Sequence, residues 1–260
     1  MSIESISNYN AATYASLQQS LTSGSRINHS ANDAAGQAVV VALSTQINQQ
    51  DVATRNANDG ISALQIADGT GESVSTQLQR LGELAIQAQN GTYSAAQRQA
   101  LNQEFQQGLK AINQSVGQAS FNGTNLLDGS QSSFNIGLGN SSSTLNFPDL
   151  TTSGQGLAGL DINSSTNANT AYSTITTALE NLATSRSQLG AQQNGLSSAI
   201  DNIATQNLNT LSSRSQINDT NYAQAITDLN RQQVLQQSGI AMQSQSNHDR
   251  YNVLQLLQSN

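Results

Sequence analysis

Leu182, Leu189, Leu196 and Ile203 stand seven residues apart, with Leu179 and Ile200 at intermediate positions. A seven-residue apolar repeat keeps one stripe of an α-helix turned toward a partner along its whole length, so it commits this stretch to long packed helices. The repeat has a counterpart upstream, where Val74, Leu78, Leu81, Ala85 and Ala88 alternate steps of four and three. Pro148 is the only proline among 260 residues, so nothing interrupts a helix over most of the chain.

The rest of the chain fits around these two stripes. Ile3, Ile6, Tyr14, Leu17 and Leu21 mark an amphipathic helix that Ser23-Gly24-Ser25 ends. A second helix is expected to start at Asn32-Asp33, where either side chain can cap it, and to run through Val39, Leu43 and Ile47 to a tight turn at Asn58-Asp59-Gly60. The stripe from Val74 then forms a third helix ending at Asn90-Gly91, and Leu101, Phe105, Leu109, Ile112 and Val116 form a fourth ending before Phe121-Asn122-Gly123. From about 122 to 170 the helical period is lost, and alternation such as Phe134-Asn-Ile136-Gly-Leu138 predicts β-hairpins. Helical spacing returns at Ile175, and a last helix carries Tyr222, Ile226, Leu229, Val253, Leu254, Leu256 and Leu257. The expected fold is mainly α, an elongated antiparallel helical bundle or coiled coil made by the N- and C-terminal segments, with a small β-hairpin region in the middle. The expected division places 1–32 with 221–260 in a terminal coiled coil and 33–220 in a helical bundle with hairpins.

Composition excludes several functions. Charged residues are only 10% of the chain and the net charge is −7, with one lysine, Lys110, and arginines that never cluster. Nucleic-acid binding needs a basic face to displace counterions, and none is available. The chain has no cysteine, which removes disulfides, thiolate metal sites and a cysteine nucleophile. Aromatic residues are 4% and Trp is absent, thin for an enzyme pocket. No apolar run approaches the roughly 20 residues that span a bilayer, so membrane insertion is not expected. Met1-Ser-Ile-Glu-Ser-Ile has neither a basic nor an apolar leader region, so no cleavable secretory signal is expected.

Individual motifs have plain readings. His29 and His248 lack the carboxylate or thiolate company of a metal site. Gly69-Thr-Gly71 lacks the third glycine and the preceding strand of a phosphate loop and is expected to break a helix. Asp33 and Asp59 sit in capping contexts rather than as a catalytic pair. Two histidines and no Gly-x-Ser-x-Gly elbow leave no credible catalytic set, so no enzyme, cofactor or metal is expected. Asn90-Gly-Thr92, Asn122-Gly-Thr124 and Asn218-Asp-Thr220 fit a glycosylation pattern short enough to arise by chance in an Asn-rich chain.

The ends decide the class of function. Lone helices are marginal in water and gain most of their stability from packing. The N-terminal helix has its plausible partner some 200 residues away, which implies an antiparallel pair of chain ends. Apolar surface left over on that pair, above all at Leu254, Leu256 and Leu257, must be covered by other molecules. The expected assembly residues are Ile3, Ile6, Leu17, Leu21, Ile226, Leu229, Val253, Leu254, Leu256 and Leu257, and the expected partner is the chain itself.

The segment from Ser23 to Ala38, Ser-Gly-Ser-Arg-Ile-Asn-His-Ser-Ala-Asn-Asp-Ala-Ala-Gly-Gln-Ala, resembles the signature near the start of bacterial flagellins. Thr54-Arg-Asn-Ala-Asn-Asp-Gly-Ile61, Leu78-Gln-Arg-Leu-Gly-Glu-Leu84, Ser120-Phe-Asn-Gly-Thr-Asn-Leu-Leu127, Asp219-Thr-Asn-Tyr-Ala223, Val234-Leu-Gln-Gln-Ser-Gly239 and Asn252-Val-Leu-Gln-Leu-Leu257 are similar too, in the same order. The resemblance implies a filament subunit of the flagellum, short for its family because only about fifty residues separate the two helical halves. It further implies termini forming an inner tube, export through the flagellar secretion channel with a chaperone, an extracellular location, and hook-associated and cap proteins as partners. Alternatives are a hook–filament junction protein or a flagellin-like surface adhesin. Gln79, Arg80, Glu83, Leu84 and Glu104 resemble the flagellin patch bound by the innate immune receptor Toll-like receptor 5, with Gly82 and Gly108 where bulkier residues are common.

Overall fold

The computed structural model describes residues 3–258; the side chains of 3–10, 256 and 257 lie outside that description. The described elements, in order, are α1 (Ile3–Ser23), α2 (Ala34–Gln89), α3 (Ala95–Gln118), β1 (Ser120–Phe121), β2 (Thr124–Asn125), β3 (Ser133–Gly137), β4 (Ser142–Asn146), α4 (Ser165–Asn218) and α5 (Tyr222–Gln258). The chain is mainly helical with two small antiparallel hairpins, β1–β2 and β3–β4, as the sequence predicts. It divides into a central unit, Gln49–Gln206, and a terminal unit, Met1–Asn48 with Asn207–Asn260. These divisions fall inside α2 and α4, whereas the sequence reading placed them in the loops at 32/33 and 220/221.

In the central unit the α2 stripe is longer than its leucines suggest. Ala53, Ala57, Gly60, Leu64, Ala67, Gly71, Val74, Leu78, Leu81, Ala85 and Ala88 are all buried, at steps of three and four. The expected turn at Asn58-Asp59-Gly60 and the expected break at Gly69-Thr-Gly71 are therefore corrected: α2 passes through both, and Asp59 is an exposed mid-helix residue, not a cap. The glycines serve packing. A Cβ on Gly60 would come within 3.0 Å of Leu196 Cδ1 and 3.2 Å of Leu145 Cδ1, and one on Gly71 within 3.3 Å of Arg186 Cγ. Missing side chains there let neighbouring groups approach the α2 backbone, and the packing outweighs the helix cost of about 1 kcal/mol per glycine. Beside Gly71, Arg186 crosses from α4 and donates to Asp68 at 2.7 Å.

Helix ends are secured by side chains. Asp33 accepts from the Gly36 N–H at 2.8 Å, the cap expected at the start of α2. At the other end Arg98 donates to the carbonyls of Ala88 and Asn90. Ser94 and Gln97 form a reciprocal capping box on α3. Phe105, Leu109, Ile112 and Val116 of α3 join the same core as α2. Asn122 (φ 50°) and Gly123 (φ 77°) make the left-handed two-residue turn between β1 and β2 that an Asn-Gly pair favours.

The β3–β4 hairpin pairs Phe134 with Leu145 and sets the Phe134 and Phe147 rings edge to face at 5.4 Å. Two helices pin it, Asn56 through a bond to the Gly137 carbonyl and Gln192 through both polar atoms to the Asn146 backbone. The irregular stretch that follows is strapped to α3. Asn113 pairs with Thr152, Gln106 donates to the Leu160 carbonyl, and Asn102 accepts from the Ile162 N–H, so Leu150, Leu157 and Ile162 enter the core. Helix α4 begins at Ser165, ten residues before Ile175, because its first stripe residues are Ala168 and Ala171, too small to register as an apolar period.

Candidate self-assembly surface

The terminal unit begins with a clamp between two distant segments. Gly24 takes φ 71° and turns the chain out of α1. Ser25 then bridges Asp219 in antiparallel fashion, the Arg26 N–H donates to the Asn218 carbonyl at 2.6 Å, and the Thr220 N–H donates to the Gly24 carbonyl at 2.9 Å. The Arg26 guanidinium donates to the Ile217 carbonyl at 2.7 Å, and Asn218 donates to the Ser25 hydroxyl. Tyr222 donates to the Leu21 carbonyl at 3.2 Å, directly at Gly24, whose missing side chain leaves room for the phenol. The sequence implies that the chain ends pair, but not that these two motifs form the junction.

From the clamp, α1 and α5 run antiparallel. Tyr222 meets Leu21, and eleven residues later Gln233 donates to Tyr14. Leu17 and Leu21 are half-buried on α1. On α5 the most covered positions are Ala225, Leu229, Gln232, Gln236, Gly239, Gln243 and Ser246, a repeat of four and three. That seam is polar and small apart from Leu229. Most of the large apolar side chains described on α5 lie elsewhere: Ile226, Val234, Leu235, Ile240, Met242, Tyr251, Val253 and Leu254 are all exposed. A helix of this kind turns its hydrocarbon toward solvent, the reverse of a helix packed for its own unit. At 37 residues α5 is also longer than α1 at 21, so its last turns have no α1 backbone beside them.

Of the expected assembly residues, Ile226, Val253 and Leu254 stand exposed on α5, while Leu17, Leu21 and Leu229 are half-buried in the helix pair. The side chains of Ile3, Ile6, Leu256 and Leu257 lie outside the described residues. Sequence periodicity missed Val234, Leu235, Ile240 and Met242. The signal that finds them is the mismatch between the polar residues at the heptad positions of α5 and the apolar ones between them.

A second surface lies in the central unit. Arg80 donates from Nη2 to Glu104 Oε1 at 2.8 Å, across to α3, and from Nη1 to Glu83 at 3.0 Å. Bonding to Glu104 first and Glu83 second holds the guanidinium pKa above its ordinary value. Gln79 is exposed beside this cluster. Leu84 is not part of the surface: it is 1% exposed, because it shares the buried row with Leu81 and Ala88.

His29 bonds Gln19, and His248 bonds Asn252. No helix among the described residues is long and apolar enough to cross a membrane, and no group of three His, Cys, Asp or Glu residues among them could hold a metal ion.

Comparison with known proteins matches the same two ends. The model of the bacterial flagellin N-terminal helical region matches residues 1–132, and that of the C-terminal helical region matches 172–257. A flagellin of Halalkalibacterium halodurans is 37% identical over 92% of this chain and 90% of its own length. A flagellin of Listeria monocytogenes is 31% identical over 93% and 91%. The crystal structure of Bacillus cereus flagellin superposes with a TM-score of 0.52 at 28% identity, covering 57% of this chain and 88% of that one.

Proposed function

The chain belongs to the bacterial flagellin family, and on that premise we propose that it is a structural subunit, not an enzyme, that polymerises into a flagellar filament through its terminal helices. The observation that carries this reading is the hydrocarbon that α5 leaves in solvent, with Gln232 covered and Ile226, Leu235, Ile240 and Leu254 exposed. Each such side chain is worth about 1.5–3 kcal/mol when fully buried, and only further copies of the chain can supply the cover again and again along a polymer. Family membership favours this reading over a hook–filament junction protein or an adhesin. Export through the flagellar secretion channel with a chaperone, an extracellular location, and contact with hook-associated and cap proteins belong to the same proposal. Electron microscopy of purified, concentrated protein tests it. Long helical filaments are expected; short caps or persistent monomers would refute it.

A second reading concerns Gln79, Arg80, Glu83 and Glu104 as a contact for Toll-like receptor 5. The support is their joint exposure and the planar guanidinium of Arg80, a group suited to anchor an interface. Leu84, being buried, acts there only by holding α2 in place. A reporter-cell assay is expected to give a signal from monomer that Arg80→Ala cuts several-fold. No response to monomer, or an undiminished response from the variant, rules the contact out.

A further inference from the structure

The sulfur of this chain is confined to two methionines, Met1 and Met242, and there is neither cysteine nor tryptophan to compete for an oxidant. Met242 is 68% exposed. It sits on α5 in a surface hollow lined further along the helix by Gln245, Ser246, Asp249, Arg250, Val253 and Leu254. Leu235, Met242 and Val253 are spaced by seven and eleven residues, which are close to two and three turns of an α-helix, so they line up along one face. All three are exposed in the subunit.

We propose that Met242 is an oxidation site through which a peroxide stops the unassembled subunit from adding to a polymer. This rests on the assembly reading of α5. The thioether sulfur attacks the terminal oxygen of the peroxide, the O–O bond breaks, and the displaced oxygen leaves as water or an alcohol after taking a proton. Sulfur is oxidised by two electrons to the sulfoxide and the peroxide is reduced. A flexible apolar side chain thereby becomes a polar one carrying a strong acceptor oxygen. On the free subunit the change is harmless, because the sulfoxide meets water. In a contact between copies the larger, polar sulfoxide stands where the thioether stood, and its oxygen gives up the water that meets it on the free subunit. Once a copy has been added, the neighbour covers Met242 and shields it. Oxidation thus acts before assembly and not after it.

The test treats purified full-length subunit with hydrogen peroxide, follows conversion at residue 242 by peptide mass, and measures elongation from filament seeds by light scattering and electron microscopy. Elongation is expected to slow by at least about tenfold as the sulfoxide accumulates, the effect of stranding one polar group in a buried contact. It should recover after treatment with methionine sulfoxide reductase. Met242→Leu should elongate normally before and after peroxide. Met242→Gln should elongate slowly without any oxidant while keeping its helical circular dichroism, which preserves the test if the leucine variant folds poorly. Normal elongation of subunit fully oxidised at 242, equal inhibition of Met242→Leu, or oxidation of residue 242 as fast in filaments as in free subunit overturns the proposal. Untreated protein that never elongates overturns the filament reading itself, and this proposal with it.

Discussion

The central and terminal units are built from the same elements, long helices with residues repeating at three and four, yet they place their hydrocarbon in opposite directions. In the central unit Leu64, Leu78, Leu81, Phe105, Ile112, Leu126 and Leu145 are almost wholly buried in one continuous cluster. In the terminal unit the buried apolar side chains among the described residues are Ile27, Ile47 and Ala225, and covered positions go to Thr210 and Gln232. Most of the large apolar side chains left in solvent belong to the terminal unit, from Val39 and Val41 through Leu208 to Leu254. The clamp at Ser25 and Asp219 fixes the two chain ends by polar and backbone bonds, which need no hydrocarbon. The apolar surface of the terminal unit is thereby left in solvent, where the proposed assembly would cover it. One unit completes its own core, and the other does not.

The largest effect expected from this contrast is all-or-none. Removing 253–260 deletes the exposed Val253 and Leu254 and falls wholly within the terminal unit. Electron microscopy should find no filaments, while the main thermal unfolding transition seen by circular dichroism stays in place. Normal filaments from the shortened chain would break the comparison. Next in size is its mirror image. Phe105→Ala empties a fully buried site and should destabilise the central unit by about 3–5 kcal/mol. Denaturant unfolding of the monomer measures it, and a loss under 1 kcal/mol would mean that the central core is not the tight cluster described.

How much of this was legible in the sequence follows the same divide. The heptads of α4, the Asp33 cap and the alternation from Phe134 to Leu138 were readable because each rests on local chemistry. Gly60 and Gly71 were misread because glycine weakens an isolated helix, whereas their role depends on how closely Leu196 and Arg186 approach from residues far along the chain. Leu84 stands four residues after Arg80, on adjoining parts of the helix surface, so spacing alone could not divide the two between core and solvent. The exposed residues of α5 were the least legible. Periodicity arguments find a single apolar stripe, and Ile226, Val234, Leu235 and Ile240 are spread around the helix instead.

Smaller effects probe how tightly each unit is packed. Gly60→Ala adds a Cβ against Leu196, Leu145 and Ile136, at 3.0, 3.2 and 3.3 Å. Overpacking costs about 1–3 kcal/mol and helix propensity returns about 1, so a net loss of about 1 kcal/mol is expected. Gly239→Ala makes the same change on the covered seam of α5, where an added Cβ meets nothing within 4 Å. It should instead stabilise its helix by about 0.5–1 kcal/mol. Monomer unfolding for the first variant and amide exchange across α5 for the second decide the matter. Equal signs would remove the packing difference between the units.

The smallest effect uses pH to mark the central unit alone. Asp161 lies just before α4 and accepts from the Asn167 side chain at 2.8 Å and from the Asn163 N–H at 3.0 Å. Both bonds favour the carboxylate, the Asn167 bond most, and hold its pKa below the ordinary aspartate value. The folded state therefore binds this proton less readily than the unfolded chain. Its contribution is complete above the unfolded pKa of about 3.9 and is lost as pH falls through the lower, folded value. Asp161 is half-buried, and desolvation opposes its hydrogen bonds, so the contribution stays under about 1 kcal/mol. Asp161→Asn keeps the shape, cannot titrate, and should be slightly less stable than the parent at pH 7. Between about pH 5 and 2 the two unfolding free energies should converge, since protonation removes from the parent what the substitution has already removed. Amide exchange localises the change: protection should fall at the start of α4 and stay constant along α5. A difference that persists undiminished at pH 2 would mean that Asp161 stabilises the start of α4 through its shape and not through its charge.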